Sequence, residues 1–294
     1  MSRIFSLKLA RQTAEAFLKE EGILTLPVDP FAIAESREIM VEGKPENVEG
    51  VSGMLLRHGN DFGIVYATHI QRPGFQRFSV SHELGHYFLP GHIDQVIKEG
   101  IHVSRAGFVT NDPYELEADH FAAGLLMPEA PFRKALDGFA PGLNAIDSMT
   151  ELCVTSRIAT AIRFAELSDA AVAVIVSTNS VIDYCFMSEA MKSLPRLHWI
   201  RKGTPLPSAT ATAQLAADRE RVAARERVTD EVDVRDWLGG TTRATVSEET
   251  VGLGAYGKVL TVLTSQSIGQ STDSGEDEDD EEKLIEHWTP RFRR

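Results

Sequence analysis

His82-Glu83-Leu84-Gly85-His86 sets two imidazoles four residues apart with an acid between them. On a helix, such positions lie about 40° apart around the axis, so both rings leave one face and can share a metal ion. Glu83 falls about 60° from His86 on the same wheel, close enough to a water on that metal to act as its general base, but poorly aimed to coordinate. Zinc held by three protein groups with one position open lowers the pKa of its water to about 7, which makes a nucleophile for a carbonyl carbon at neutral pH. Val80, Leu84, Tyr87 and Phe88 form an apolar stripe beside the histidine face, the setting of a helix buried at a cleft. The competing reading is an ordinary amphipathic helix that carries two histidines.

Two residues compete for the third ligand position. His92 completes a His82-x3-His86-x5-His92 spacing like HExxHxxGxxH, but Leu89 stands where that pattern has its turn-making glycine, and Pro90-Gly91 would have to turn the chain instead. Glu115 shares a helical face with Asp119, Ala118, Ala122 and Leu126. A carboxylate on an apolar face is costly unless paired or bound to a metal, so Glu115 is the expected ligand and Asp119 the group that orients a ligating histidine. Glu115 also stands three positions after Asp112, as in a capping box, which would account for Glu115 but not for Asp119. Glu117, on the opposite face with His120 and Gly124, is expected to be solvated. Tyr87, His92, Tyr114 and His120 are the nearby donors for an oxyanion, and the spacing does not rank them. His58, His69, His102, His198 and His287 lack metal-ligand spacing and read as ordinary loop or surface residues.

The elements that must position these groups follow from periodicity and punctuation. Leu9 to Glu21 repeats apolar residues at helical spacing and stops before Gly22. A turn and second helix follow from Pro27 to Ile39. Gly53 to Leu56 and Phe62 to Ala67 flank the turn-rich Arg57 to Asp61 and predict a hairpin. Phe75 to Leu89 carries the histidines and ends at Pro90-Gly91; Tyr114 to Met127 enters through Asp112-Pro113 and leaves at Pro128. Between them lies a stretch of little pattern, read as a loop. Short helices run on to about Leu167. Strands are expected at Ala171 to Ser177, Val181 to Met187 and Lys258 to Thr264, with one charged helical stretch at Gln214 to Val228 and glycine loops at 239–240 and 252–254.

Of the formal charge of −13, eight acids lie between Asp273 and Glu282, so the remainder carries only −5. That run reads as a disordered tail, since its charges repel and nothing apolar offsets ordering. No dense basic cluster offers counterion release, which disfavours direct binding to nucleic acid. Cys153-Val154-Thr155-Ser156-Arg157 to Leu167 has the outline of a helix-turn-helix second half, but with Arg157 and Arg163 as its few basic residues it reads as a packing element. Cys153 and Cys185 stand apart, each among apolar neighbours, and read as buried small hydrophobes. The N-terminus lacks a signal-type apolar region, and the longest apolar run, Ala170 to Val176, cannot cross a bilayer, so no membrane and a cytoplasmic location are expected.

His82-Glu83-Leu84-Gly85-His86, followed by Glu115-Leu116-Glu117-Ala118-Asp119-His120-Phe121-Ala122-Ala123-Gly124-Leu125-Leu126-Met127-Pro128, resembles the ImmA/IrrE family of metallopeptidases. The motif-bearing likeness runs from Gln12 to Arg133, with Ile162 to Leu167 similar to a helix that follows in many members. The resemblance implies a zincin-like domain of helices on a small β-sheet at 1–140 and weakens after Leu167; with the patterns beyond it, the chain reads as α+β, with a helical helix-turn-helix-like segment at 141–169, a smaller mixed accessory or sensor domain at 170–269, and the acidic tail at 270–294. It implies one Zn2+ per chain on His82, His86 and Glu115, with Glu83 as the base. It also implies an endopeptidase whose partner and substrate is a helix-turn-helix repressor of the Xre type, cleaved or inactivated to release transcription in a stress response. A zinc-stabilised module that sequesters the repressor uncut, or a toxin-antitoxin-like component, is the alternative. Oligomeric state is not legible.

Overall fold

The computed structural model describes residues 3–44, 50–105, 112–254 and 257–265. The acidic run expected to be disordered therefore lies outside the described residues. The described residues divide into two compact units, one built from the stretch up to residue 135 and from 149–159, the other from 136–148 and from residue 160 to residue 265.

The first unit opens with α1 (Arg3–Glu20), α2 (Pro30–Ser36) and β1 (Met40–Lys44), continues through β2 (Val51–His58), β3 (Asp61–Ala67), α3 (Pro73–Phe88), α4 (His92–Val96) and β4 (Ile101–Arg105), and reaches α5 (Pro113–Leu126) and α6 (Glu129–Leu136). Its sheet runs β1-β3-β2-β4, with β1 parallel to β3 and the other pairs antiparallel, so β4 is an edge strand. Helix α3 lies against β2 and β3 and packs on α5, which also packs on α1. Pro73 and Pro113 each stand in the first turn of their helices, where a missing N–H costs nothing, and Asp112 caps α5 by accepting from Tyr114 N at 3.0 Å. The core joins Ala14, Leu18, Leu55, Ile64, Val80, Leu84, Phe121 and Leu125. Gly85 sets the α3–α5 distance: a Cβ there would stand 3.0 Å from Ala118 Cα and 3.2 Å from its carbonyl. The two helices thus cross at backbone contact beside the histidines.

The stretch read as a patternless loop contains α4 and β4, so that expectation fails. Its strand alternates Ile101 and Val103 with His102 and Ser104, but in the inverse sense: the apolar pair is exposed and the polar pair turns inward.

α7 (Leu143–Cys153) and α8 (Arg157–Leu167) are divided between the units. The second unit continues with β5 (Ala171–Thr178), β6 (Val181–Met187), α9 (Glu189–Lys192), α10 (Ala211–Ala217), α11 (Arg219–Ala223), β7 (Arg227–Asp233), α12 (Val234–Leu238), β8 (Thr245–Gly252) and β9 (Lys258–Ser265). Its sheet is antiparallel throughout, in the order β6-β5-β9-β8-β7. The single helix expected at 214–228 is instead α10 and α11, broken where Asp218 caps the second by accepting from Glu220 N and Arg221 N, and the chain then turns into β7. Cys153 and Cys185 are free and buried, and burial pushes both thiols up to about 12, as befits packing groups. Among the described residues no helix is long and apolar enough to cross a membrane.

Candidate metal centre

His82 and His86 occupy successive turns of α3 and are nearly or fully buried. Their Nε2 atoms lie 3.1 Å apart. From α5, Glu115 brings Oε2 to 3.4 Å from His82 Nε2 and Oε1 to 3.4 Å from His86 Nε2. Metal–ligand bonds of about 2.0–2.1 Å at the tetrahedral angle put ligand atoms roughly 3.3–3.4 Å apart, so these three groups outline one face of a tetrahedral site.

The far nitrogens are committed elsewhere, which turns both Nε2 lone pairs inward. His82 Nδ1 meets Asp119 Oδ1 at 2.8 Å. His86 Nδ1 meets His92 Nδ1 at 3.1 Å, and His92 Nε2 meets Glu117 Oε2 at 3.0 Å. With His86 protonated at Nδ1, its N–H donates to His92, whose Nε2–H donates to Glu117. Such backing fixes tautomer and ring orientation, as ligating histidines require.

Electrostatics agree with a cation-binding set. Burial opposes ionisation of Glu115, but hydrogen bonds from His102, His82 and His86 outweigh it and hold the carboxyl far below its usual range. Burial likewise opposes the charged form of His82, yet Asp119 and Glu115 raise its pKa well above normal. His86, fully enclosed, is pushed down to about 3 by burial, so its ring is neutral and able to ligate.

Glu83 is fully buried, and neither carboxylate oxygen has a hydrogen-bond partner. It lies against β2, where a Cβ on Gly53 would come within 2.5 Å of its Oε1. Burial raises its pKa, a rise tempered by His82, His102 and the nearby Ser104 hydroxyl, whose own hydrogen-bonding contact is with His102 Nε2 at 3.2 Å. A buried acid with two idle acceptors is costly, and it suits a group that waits for a proton from a reactant. Donor set and orphaned acid together fit a zinc-type ion; imidazole and carboxylate are ligands that zinc accepts.

Residues 34–149 match the model of the Peptidase_M78 family, the IrrE N-terminal-like domain. Under half of the chain is matched, and that part is an IrrE N-terminal-like domain. Its family model is that of a peptidase, and the matched span holds every group of the cluster. A solved structure of a Mycobacterium tuberculosis transcriptional regulator shares the fold, with a TM-score of 0.54 at 13% identity over 87% of this chain and 76% of that one. No curated protein sequence matches significantly.

Within this ImmA/IrrE domain the structure gathers His82, His86 and Glu115 with Asp119 behind His82. His92, weighed as an alternative ligand or an exposed loop histidine, is neither placed in the cluster nor exposed: it opens α4, is 1% accessible, and stands on the far nitrogen of His86. Tyr114 packs edge-on against His92 with ring centroids 5.0 Å apart, whereas Tyr87 packs among Phe62 and Phe88. Glu117, read as solvated, is the partner of His92, and His120 bonds Arg11 of α1 at 3.1 Å, because the face of α5 opposite Glu115 is covered too. His102, set aside as an ordinary residue, reaches the cluster from β4: its Nε2 lies 3.0 Å from Glu115 Oε1. The signal that could have found it is the two-residue alternation of 101–104, which turns His102 and Ser104 to one face.

Proposed function

We propose that this chain is a zinc endopeptidase that cleaves a helix-turn-helix repressor of the Xre type and acts in the cytoplasm. The observation that carries the catalytic reading is a fully buried, unpartnered Glu83 one residue from a histidine of a three-donor triangle. His82, His86 and Glu115 would hold the ion, which when bound polarises a carbonyl and brings the pKa of its water to about 7. Glu83 takes the proton from the attacking water and returns it to the amide nitrogen as the C–N bond breaks, so one water is consumed per bond cut. Asp119 and His92 keep the two imidazoles aimed. The family match supports peptide-bond hydrolysis, and the regulator-like fold of the solved relative supports a place in transcriptional control. In this reading the region at 170–269 serves as an accessory or sensor domain.

The test is purified protein with a candidate helix-turn-helix repressor of the Xre type, with and without a chelator, and with Glu83→Gln. Cleavage that survives the substitution or complete metal removal would sink the mechanism. A second reading has one observation in its favour: with His102 the cluster offers four donors, the number of a closed structural zinc site. A protein of that kind would retain intact repressor in a pull-down, equally well with Glu83→Gln.

A further inference from the structure

A hydrolytic centre needs three protein donors and an open position, and here four donors converge. One ligand atom each of His82, His86, His102 and Glu115 lie within 4.8 Å of one another. The His86 and His102 rings stand 4.4 Å apart, centroid to centroid. The Nε2 of His102 is directed at the same carboxylate that bridges the two helix histidines.

The support behind His102 differs from that behind the other three. His82, His86 and Glu115 rise from two helices crossing at backbone contact. His102 comes from β4, which among the described residues is an edge strand paired within the sheet with β2 alone. Its strand neighbours Ile101 and Val103 are 48% and 39% exposed, so no buried apolar face pins the strand at this point. Side-chain or strand displacement is therefore cheaper for this donor than for the helical three. Glu83 makes the consequence concrete, since with a fourth protein ligand in place no water occupies the position from which Glu83 would take a proton.

We propose that His102 would serve as a fourth protein ligand of a metal held by His82, His86 and Glu115, closing the site at rest, and would give up that position to water when substrate binds. The inference rests on the metallopeptidase reading and adds to it a resting state that does not hydrolyse. It also joins that reading to the binding-only alternative: the same chain holds a closed site without substrate and an open one with it.

The experiment uses the full chain loaded with one equivalent of zinc. X-ray absorption at the zinc edge is expected to count three imidazoles in the wild type and two in His102→Gln. With cobalt in place of zinc, acetohydroxamate titrated against the visible spectrum is expected to bind at least ~10-fold more tightly to His102→Ala, because no protein ligand must leave. In chelator competition the same variant is expected to lose ~10-fold or more in metal affinity. Two imidazoles in the wild type, or hydroxamate and metal affinities unchanged by the substitution, overturn the proposal while leaving the peptidase reading intact. Metal binding that is equally tight in His82→Ala and Glu115→Gln would overturn both. The absorption measurement on the wild type decides the matter even if a His102 variant fails to fold.

Discussion

Glu83 in the first unit and Glu248 in the second are both completely buried, yet they are held in opposite ways. Glu248 Oε1 accepts from Thr212 N at 2.8 Å and from the Thr212 hydroxyl at 2.5 Å, and that hydroxyl meets Thr261, which in turn meets Thr250. One of its oxygens is thus tied into a network joining α10, β8 and β9. Glu83 is tied into no such network: neither oxygen has a hydrogen-bond partner in good geometry, and the nearby Ser104 hydroxyl only tempers the rise of its pKa. A buried carboxyl whose donors come from the fold ties elements together, whereas one left without donors is a liability to the fold and is reserved for a reactant. Burial alone does not separate structure from function; the partner census does.

That contrast predicts two substitutions with crossed effects. Glu83→Gln should lower peptidase activity by about 10²–10⁴, the contribution of a positioned general base, while leaving denaturant stability unchanged or raised because an unpaired buried acid is gone. Kinetics on a repressor substrate and a urea melt check the pair of outcomes; a large loss of stability would show that Glu83 is structural after all. Glu248→Ala should do the reverse. It strands the Thr212 donors and costs roughly 2–3 kcal/mol in the same melt, with the metal affinity of the first unit unaltered. Altered metal affinity would break the division between the two glutamates.

The helical half of the site was legible because helix chemistry is local. The i,i+4 spacing of His82 and His86 and the shared face of Glu115 and Asp119 need no tertiary knowledge, and Pro73, Asp112 and Pro113 mark where the helices begin. What escaped depends on distant pairing. The sequence of β4 is too short to declare itself without β2, so His102 read as loop. Glu117 reads as solvated, and His120 as a free oxyanion donor, when α5 is taken as an amphipathic helix, whereas α1 and His92 cover the face opposite Glu115. In the second unit β7 and β8 were missed for a related reason: Asp230, Glu231, Glu248 and Glu249 sit in paired strands where charge suggests helix or loop.

The same partner census ranks the groups behind the two helix histidines. Asp119 is 5% exposed and touches His82 directly at 2.8 Å, so Asp119→Asn should weaken metal binding by about 10–100-fold in chelator competition, the range for a residue that orients a ligand. Glu117 acts one step further away, through His92, and its side chain is 22% exposed. Water can replace much of what its carboxylate does for His92, and the His92 ring stays packed against Tyr114 whether or not Glu117 is charged. Glu117→Gln keeps an acceptor oxygen for the His92 N–H. Its expected cost is accordingly the smallest, about threefold and at most tenfold in metal affinity, measured in the same competition. Should Glu117→Gln prove the more damaging of the two, the relay through His92 would be the dominant support of the site, and the histidine once weighed as a third ligand would matter more from behind His86 than Asp119 does from behind His82.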